Sequence, residues 1–251
     1  SRSEAAGLIA AGEVTVNGTT VTKSSARCAP GDRIALRDSG PRYVSRAGHK
    51  LAGALEVFAD VVPSGLRCLD AGASTGGFTD VLLRAGAERV LAVDVGHDQL
   101  VDELRADARV EVHEGCNVRD LDAGHLGGPV DLVVSDLSFI SLCLVLGPLA
   151  GVCRPGADLV LMVKPQFEVG RRALPKTGVV VDPGQRRRAV AGVLDAAVAA
   201  GLRPRGIARS PLPGQDGNVE FFLWLDRPAD AGEGLGPDGD AWLDGHSVDW
   251  A

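Results

Sequence analysis

The pattern of apolar and polar positions divides the chain into a small N-terminal module and a larger region. Residues 3–11 have the composition of a helix, and an alternating apolar–polar run after them predicts a strand. Asn17-Gly18 predicts a hairpin turn, and Pro30-Gly31-Asp32 predicts a second turn before another short strand. We therefore predict a module of one helix and short strands over residues 1–38.

Strand and helix patterns alternate over residues 49–227, after a linker predicted at 39–48. Strands are predicted at 68–70, 89–94, 110–113, 130–135, 158–164, 203–210 and 220–226, and helices at 51–58, 78–85 and 183–200. Repeated strand–helix units predict an α/β fold with a doubly wound, Rossmann-like sheet and a parallel core. The acidic, Gly- and Pro-rich tail at 228–251 is predicted to be mostly disordered, with Trp242 and Trp250 as candidates for docking.

Charge is distributed unevenly between the two parts. The 251 residues are 45% hydrophobic and 24% charged, with a formal net charge of −7, a composition typical of globular proteins. Residues 1–50 contain eight Lys/Arg and four Asp/Glu, a net +4, whereas the remainder carries −11. A basic N-terminal part in an acidic chain favours contact with a nucleic acid through that part.

Cysteine spacing and the longest apolar stretch argue against metal, disulfide and membrane roles. The five cysteines are widely spaced and include no CxxC pair, so we expect no metal site, no disulfide framework and a reducing, cytoplasmic location. No secretory signal is evident. The uncharged stretch 137–153 is short for a membrane span and contains Gly and Pro, so we interpret it as a buried loop and helix.

A Gly-rich turn follows the first predicted strand of the larger region, where α/β folds bind their ligands. It runs from Asp70 to Phe78, and Ser74 stands where a dinucleotide fingerprint needs its second glycine. The lysine of a Walker A loop is also absent, so the turn favours a ligand without phosphate, S-adenosylmethionine. The predicted cofactor-binding residues are Asp70, Gly72, Ala73, Ser74, Thr75, Gly76, Gly77, Phe78, Asp94, Val95, Asn117, Val118 and Asp136.

Three charged residues are predicted at one edge of the sheet. Asp136 follows one predicted strand, Lys164 ends the next, and Glu220 begins the last. A single charge at a strand end is usually solvated or ion-paired, but acids and bases collected beside a methyl donor suggest catalysis. Lys50, just before the domain, is a fourth candidate.

Several motifs now combine into a family resemblance. Beyond the Gly-rich turn they are Ser45-Arg46-Ala47-Gly48-His49-Lys50-Leu51, Ala92-Val93-Asp94-Val95-Gly96, Asp136-Leu137-Ser138-Phe139-Ile140-Ser141, Val163-Lys164-Pro165-Gln166-Phe167-Glu168 and Gly217-Asn218-Val219-Glu220-Phe221. Together they resemble the TlyA family of ribosomal RNA 2′-O-methyltransferases, in which an S4 domain precedes an FtsJ-like methyltransferase domain. The N-terminal module resembles S4 but lacks the first helix of that domain, so we expect it to be truncated.

The resemblance implies a Lys-Asp-Lys-Glu tetrad of Lys50, Asp136, Lys164 and Glu220. A ribose hydroxyl is a poor nucleophile, and a lysine amine made neutral by burial or nearby cations can accept its proton. We assign that role to Lys164 as a hypothesis, with Asp136 and Glu220 orienting the groups and Lys50 stabilising the oxyanion. The implied cofactor is S-adenosylmethionine, and the implied substrate is a cytidine ribose in ribosomal RNA of the ribosomal subunits.

The predicted RNA-binding residues are five cations and one aromatic residue: Arg2, Lys23, Arg27, Arg42, Arg46 and Phe139. The cations would contact phosphates, which position RNA without specifying sequence. Phe139 would stack on a base or cover the cofactor, and a core position is the alternative. Three other functions remain open: a pore-forming protein (some relatives are labelled haemolysins), a non-catalytic ribosome-assembly factor, and a small-molecule O-methyltransferase.

Overall fold

The chain divides into two units, Ser1–Arg42 and Tyr43–Ala251, in a computed structural model that describes residues 2–10, 12–36, 43–229 and 238–251. The second unit begins six residues before the predicted start at residue 49. The main-chain N–H of Val44 donates to Asp80 Oδ2 at 2.9 Å, which ties the segment predicted as linker to the larger unit.

The N-terminal unit is a helix followed by a small antiparallel sheet. It contains α1 (Arg2–Ala10), β1 (Val14–Val16), β2 (Thr19–Val21) and β3 (Ile34–Leu36), with strand order β2-β1-β3. Asn17 and Gly18 form the predicted hairpin turn with φ of 53° and 82°. Asn17 Nδ2 also donates to Asp32 Oδ1 at 2.8 Å, so the hairpin turn and the second predicted turn are joined.

The larger unit is a seven-stranded sheet with helices on both faces. Its strands are β4 (Arg67–Ala71), β5 (Arg89–Val93), β6 (Val110–His113), β7 (Val130–Ser135), β8 (Cys153–Val163), β9 (Arg203–Arg209) and β10 (Phe221–Asp226). Its helices are α2 (Arg46–Val57), α3 (Gly77–Arg84), α4 (Asp102–Arg105), α5 (Leu146–Val152), α6 (Pro165–Glu168), α7 (Pro183–Ala199) and α8 (Gly239–Asp244).

The strand order is β6-β5-β4-β7-β8-β10-β9. Neighbours from β6 to β8 pair in parallel, whereas β10 is antiparallel to both β8 and β9. The order reverses between β4 and β7, and the carboxyl ends of these two strands open there as a ligand crevice. This confirms the predicted doubly wound sheet with a parallel core.

Each face of the sheet buries its own hydrophobic cluster. Leu51 of α2 and Leu82 of α3 pack on one face, and Leu149 of α5 and Val190 of α7 pack on the other. All four side chains are completely buried, and burial of a Leu or Val side chain contributes about 1.5–3 kcal/mol. Because both faces are covered, the strands are continuous apolar runs.

The structure differs from the sequence expectation in the acidic tail. Residues 230–237 lie outside the described residues, but Gly239–Asp244 form α8, which packs on α7 and buries Leu243. Gly239 N donates to Asp195 Oδ1 at 2.7 Å, and the ring of Trp250 lies 4.9 Å from that of Phe221. The prediction of disorder is therefore wrong for residues 238–251. A few apolar side chains of the tail pack against the rest of the larger unit, and the average composition of the tail does not reveal these contacts.

The apolar stretch 137–153 forms a short 3₁₀ turn, Leu142–Leu144, followed by α5 and the first residue of β8. The interpreted helix is confirmed, but a buried loop before it is wrong, because Phe139 and Leu144 are 91% and 61% exposed. Among the residues that the structure describes, no helix is both long and apolar enough to cross a bilayer.

Candidate active site

The turn after β4 needs glycine at two positions for steric reasons. Gly72 and Gly76 have φ of 88° and 98°, a region that residues with a Cβ rarely adopt. A Cβ on Gly72 would lie 3.0 Å from the carbonyl oxygen of Asp136. The turn therefore brings the main chain after β4 directly against the main chain after β7.

Asp94, immediately after β5, is held by the same turn. Its Oδ2 accepts a hydrogen bond from Ser74 N at 2.8 Å, and its Oδ1 accepts one from Gly96 N at 2.7 Å. A carboxylate oxygen has two lone pairs, so each oxygen keeps one for another donor. Asp94 is thus oriented in advance, with acceptor capacity left for a ligand.

Asp70 lies beneath the turn and is completely buried. Thr79 Oγ1 donates to its Oδ2 at 2.7 Å, while Oδ1 has no partner among the described residues. Burial raises the pKa of Asp70 to about 7, and the Thr79 hydrogen bonds oppose the shift only in part. This carboxyl group is therefore poised between its neutral and charged forms near neutral pH.

A cavity of about 160 Å³ opens beside the turn. Ser45 and Ala47 line it from the start of α2, and Asp136, Ser138 and Lys164 line it from beyond the ends of β7 and β8. The turn residues that line it are Gly72, Ala73, Ser74, Thr75, Gly77 and Phe78. The cavity thus joins most of the predicted cofactor turn to two members of the predicted tetrad.

Lys164 forms the centre of the polar wall. Its Nζ lies 2.6 Å from Asp136 Oδ1 and donates to Ser138 Oγ at 2.8 Å. The side chain of Lys164 is 9% exposed and that of Asp136 is 18% exposed, so a small polar face reaches the cavity. Asp136 and Ser138 therefore hold the amine in one position. Such an arrangement suits a group that has to face one particular substrate atom.

Lys50 and Glu220 form a second, deeper pair. Lys50 Nζ lies 2.6 Å from Glu220 Oε2 and 4.0 Å from Met162 Sδ. Phe221 of β10 is opposite Val163 of β8, so one further step of the register sets Glu220 beside Lys164. The two ion pairs therefore occupy neighbouring strand ends, although Lys50 and Glu220 do not line the cavity.

Phe139 is presented to solvent at the same edge. It is 91% exposed and has φ of +63°, which is rare for a bulky residue. The rings of Phe139 and Phe167 lie 5.4 Å apart. A core role for Phe139, the alternative left open by the sequence, is wrong, because the side chain is almost fully exposed.

The other predicted site residues are scattered. Asn117 caps a 3₁₀ turn by accepting from Arg119 N, while the next residue, Val118, is buried in the core below. Val95 is 69% exposed just beyond β5. Neither Asn117 nor Val118 lines the cavity.

The predicted RNA-binding cations also differ in environment. Lys23 and Arg27 are exposed in the N-terminal unit, and their side chains form no hydrogen bond or ion pair with any residue that the structure describes. Arg46 is exposed in the larger unit and donates to the carbonyl oxygen of Pro213. The side chain of Arg2 and all of Arg42 lie outside the described residues.

Sequence reasoning missed three polar residues of the site. Ser138 accepts from Lys164, Thr79 donates to Asp70, and the half-buried Glu168 carboxylate accepts from Ser141 Oγ and Leu142 N. Each lies within or beside a motif already described. A single Ser or Thr in a sequence does not indicate a site residue, because its hydrogen-bond partner is known only from the structure. Within the described residues, no group of His, Cys, Asp and Glu could hold a metal ion.

Two family profiles match the chain: FtsJ-like methyltransferase over residues 43–227 and S4 domain over residues 1–34. It is 53% identical over 228 residues to the 16S/23S rRNA (cytidine-2′-O)-methyltransferase TlyA of Mycobacterium tuberculosis, covering 90% of this chain and 84% of that one. Hemolysin A of Brachyspira hyodysenteriae is 38% identical, with coverage of 88% and 92%. A solved structure of a hemolysin-named protein from Streptococcus thermophilus has a TM-score of 0.76 at 38% identity, covering 91% of this chain and 83% of that one.

Proposed function

The chain belongs to the FtsJ-like methyltransferase family, and from that membership we propose that it methylates a ribose 2′-hydroxyl of ribosomal RNA, with S-adenosylmethionine as methyl donor. The single observation that carries the proposal is the position of Lys164. Its amine, 2.6 Å from Asp136 Oδ1, lines a cavity whose other wall is the Gly-rich turn.

The turn and its surroundings fit S-adenosylmethionine. The absence of a side chain at Gly72 lets the turn pack against Asp136 O, which a Cβ would crowd, and Asp94 keeps free lone pairs for ribose hydroxyls. The residues proposed to hold the cofactor are Asp70, Gly72, Ala73, Ser74, Thr75, Gly76, Gly77, Phe78, Asp94, Val95, Asn117, Val118 and Asp136. When bound, the cofactor supplies an electrophilic methyl group on a sulfonium.

Lys164 is proposed to accept the proton of the ribose hydroxyl. Asp136 and Ser138 hold its amine in one place, so the lone pair of the neutral amine would meet the hydroxyl in a fixed direction. Positioning and general base catalysis together then lower the barrier. Asp136 thus orients Lys164 within the cavity.

Lys50 and Glu220 do not line the cavity, and they are proposed to act on the reaction from a deeper position than Lys164. Lys50 Nζ is held 2.6 Å from Glu220 Oε2, and the proposed role of this amine is to supply positive potential beside the site where the alkoxide develops. In a buried environment such a preorganised charge acts more strongly than it would in water. Lys50 is therefore proposed to stabilise the oxyanion, and Glu220 is proposed to hold Lys50 in place.

The proposed partner is a ribosomal subunit, bound through several surfaces. Arg2, Lys23, Arg27, Arg42 and Arg46 would contact phosphates, and the exposed ring of Phe139 would stack on the target base or a neighbour. The relative named a cytidine-2′-O-methyltransferase makes cytidine the proposed nucleoside. Action on ribosomal RNA places the protein in the cytoplasm.

Methyl transfer from radiolabelled S-adenosylmethionine to purified ribosomal subunits tests the proposal. Label in an alkali-resistant dinucleotide is expected with the wild type. Lys164→Ala should reduce the rate of methyl transfer by about 10²–10⁴-fold. Lys164→Arg should reduce the rate at least as much, because an arginine keeps its charge and cannot accept a proton.

Both Lys164 variants should still bind S-adenosylmethionine in calorimetry, which separates a lost reaction from a lost fold. Cofactor binding by the wild type without label in either subunit would reject ribosomal RNA as the substrate. Label in a base instead of a ribose would reject the proposed hydroxyl.

A further inference from the structure

Three cations that follow α6 have no partner among the residues that the structure describes. Arg171, Arg172 and Lys176 are exposed, and none of the described residues forms a hydrogen bond or ion pair with their side chains. They lie in the connection between α6 and α7, termed here the basic loop, residues 171–176. Surface ion pairs contribute little to stability, so these three unpaired charges cost the fold little and remain available to a ligand.

Nine of the other fifteen arginines of the larger unit are paired with an acidic side chain of the described residues. Arginines paired with an acidic side chain there are Arg84, Arg89, Arg105, Arg109, Arg154, Arg187, Arg188, Arg203 and Arg209. The chain carries a net charge of −7, so acidic partners are plentiful. The basic loop is therefore a local positive surface on an otherwise acidic unit.

Hydrogen bonds hold the segment that carries the basic loop at both ends. On one side, Glu168 Oε1 accepts from Leu142 N at 2.8 Å, and Glu168 also accepts from Ser141 Oγ. On the other side, Asn218 Nδ2 donates to Gly178 O at 3.0 Å. The segment that carries the cations is thus tied to the connection that follows Asp136 and to the turn that precedes Glu220.

The basic loop also lies within reach of the reacting group. Arg171 follows Lys164 by seven residues, four of them in α6, so their Cα atoms are at most about 20 Å apart. Successive phosphates advance about 3.4 Å along a duplex strand. The loop could therefore contact phosphates only a few nucleotides from a ribose placed at Lys164.

We propose that the basic loop is an RNA-binding surface of the catalytic unit, with Arg171, Arg172 and Lys176 contacting phosphates that flank the methylated nucleotide. This inference rests on the proposed function. It adds a contact with the RNA substrate beyond those proposed for the N-terminal unit. Phosphate fits the three side chains because they offer many donors and pair with no carboxylate of the described residues. Phe139 at the same edge would engage a base while the loop engages the backbone.

The test measures binding of a short fluorescein-labelled single-stranded RNA by anisotropy, between about 50 and 200 mM salt. The full-length Arg171→Gln/Arg172→Gln variant is compared with wild type. Its matched control is Arg89→Gln/Arg154→Gln, which removes the same charge from two exposed, ion-paired arginines at the amino-end edge of the sheet.

Loss of two phosphate contacts should weaken RNA binding about tenfold at low salt and reduce the slope of log K against log salt by about 1.4. Lys176→Gln should reduce that slope by about 0.7. The control should match wild type in both quantities. With ribosomal subunits, Arg171→Gln/Arg172→Gln should raise KM and leave kcat nearly unchanged.

An unchanged affinity and slope in Arg171→Gln/Arg172→Gln would overturn the inference, as would an equal loss in the control or no RNA binding by wild type. Loss of binding to phosphatidylserine vesicles with unchanged RNA binding would overturn it in favour of a membrane. Anisotropy needs no turnover, so the two failures can be told apart: RNA binding without methyl transfer marks a failure of the proposed function, and methyl transfer with unchanged RNA binding in Arg171→Gln/Arg172→Gln marks a failure of this inference alone.

Discussion

Lys50 and Glu220 form an ion pair of 2.6 Å although 170 residues separate them in the sequence. Their side chains are only 7% and 2% exposed. Removal of one partner leaves a buried charge without compensation, whereas removal of both leaves an apolar pocket. The pair therefore allows its structural and chemical contributions to be separated.

Glu220→Gln should lower the free energy of unfolding by about 3–5 kcal/mol, because Lys50 stays buried without its counter-charge. Lys50→Met/Glu220→Leu should regain most of this stability and remain inactive. Urea unfolding followed by circular dichroism gives the stability, and methyl transfer gives the activity. A double variant with wild-type activity would show that the pair is purely structural.

Asp70 should make stability depend on pH. Its pKa is raised to about 7 by burial, so folding favours the protonated carboxyl, and this contribution is lost as pH rises from about 4 through 7. The full loss amounts to about 4 kcal/mol. Asp70→Asn, which resembles the neutral acid, should gain stability relative to wild type as pH rises.

Melting temperatures of both proteins between about pH 5 and 8.5, without cofactor, provide the check on Asp70. The difference in melting temperature should grow towards alkaline pH. Curves that stay parallel over the range would mean that Asp70 does not titrate there.

Gly72→Ala should weaken S-adenosylmethionine binding by tenfold or more, since a positive φ costs an alanine about 1–2 kcal/mol and its Cβ would crowd Asp136 O at 3.0 Å. Gly86→Ala is the matched control, because Gly86 has φ of 89° in the turn after α3 and does not line the cavity. Calorimetry should show reduced affinity for the first variant alone. Equal affinities of the two variants for S-adenosylmethionine would show that the turn does not bind the cofactor.

Leu243→Ala should lower the free energy of unfolding by about 2–5 kcal/mol, the usual cost of truncating a buried Leu. Leu243 is 3% exposed in α8, whereas Leu144 is 61% exposed, so Leu144→Ala should stay within about 0.5 kcal/mol of wild type. Chemical denaturation of both variants compares them directly. Similar small effects would mean that α8 does not pack on α7 in solution.

Local patterns predicted most elements of the fold closely. The strands at 110–113 and 130–135 coincide with β6 and β7, because a short apolar run between turn residues has few alternatives. β8 begins at Cys153 instead of 158, since Arg154, Pro155 and Gly156 break the apolar pattern without breaking the strand. The prediction for the tail was wrong because its few apolar residues stabilise an ordered structure only when they pack against the surface of α7.

The sequence by itself determined the order of the elements, the Gly-rich turn and the identity of the charged residues at strand ends. Those features depend on backbone sterics and on periodicity, which act over a few neighbouring positions. Only the tertiary structure decided which acid pairs with which lysine: Asp136 with Lys164, and Glu220 with Lys50. That choice depends on strand order and on β10 running antiparallel beside β8, and these follow from packing between segments far apart in the chain.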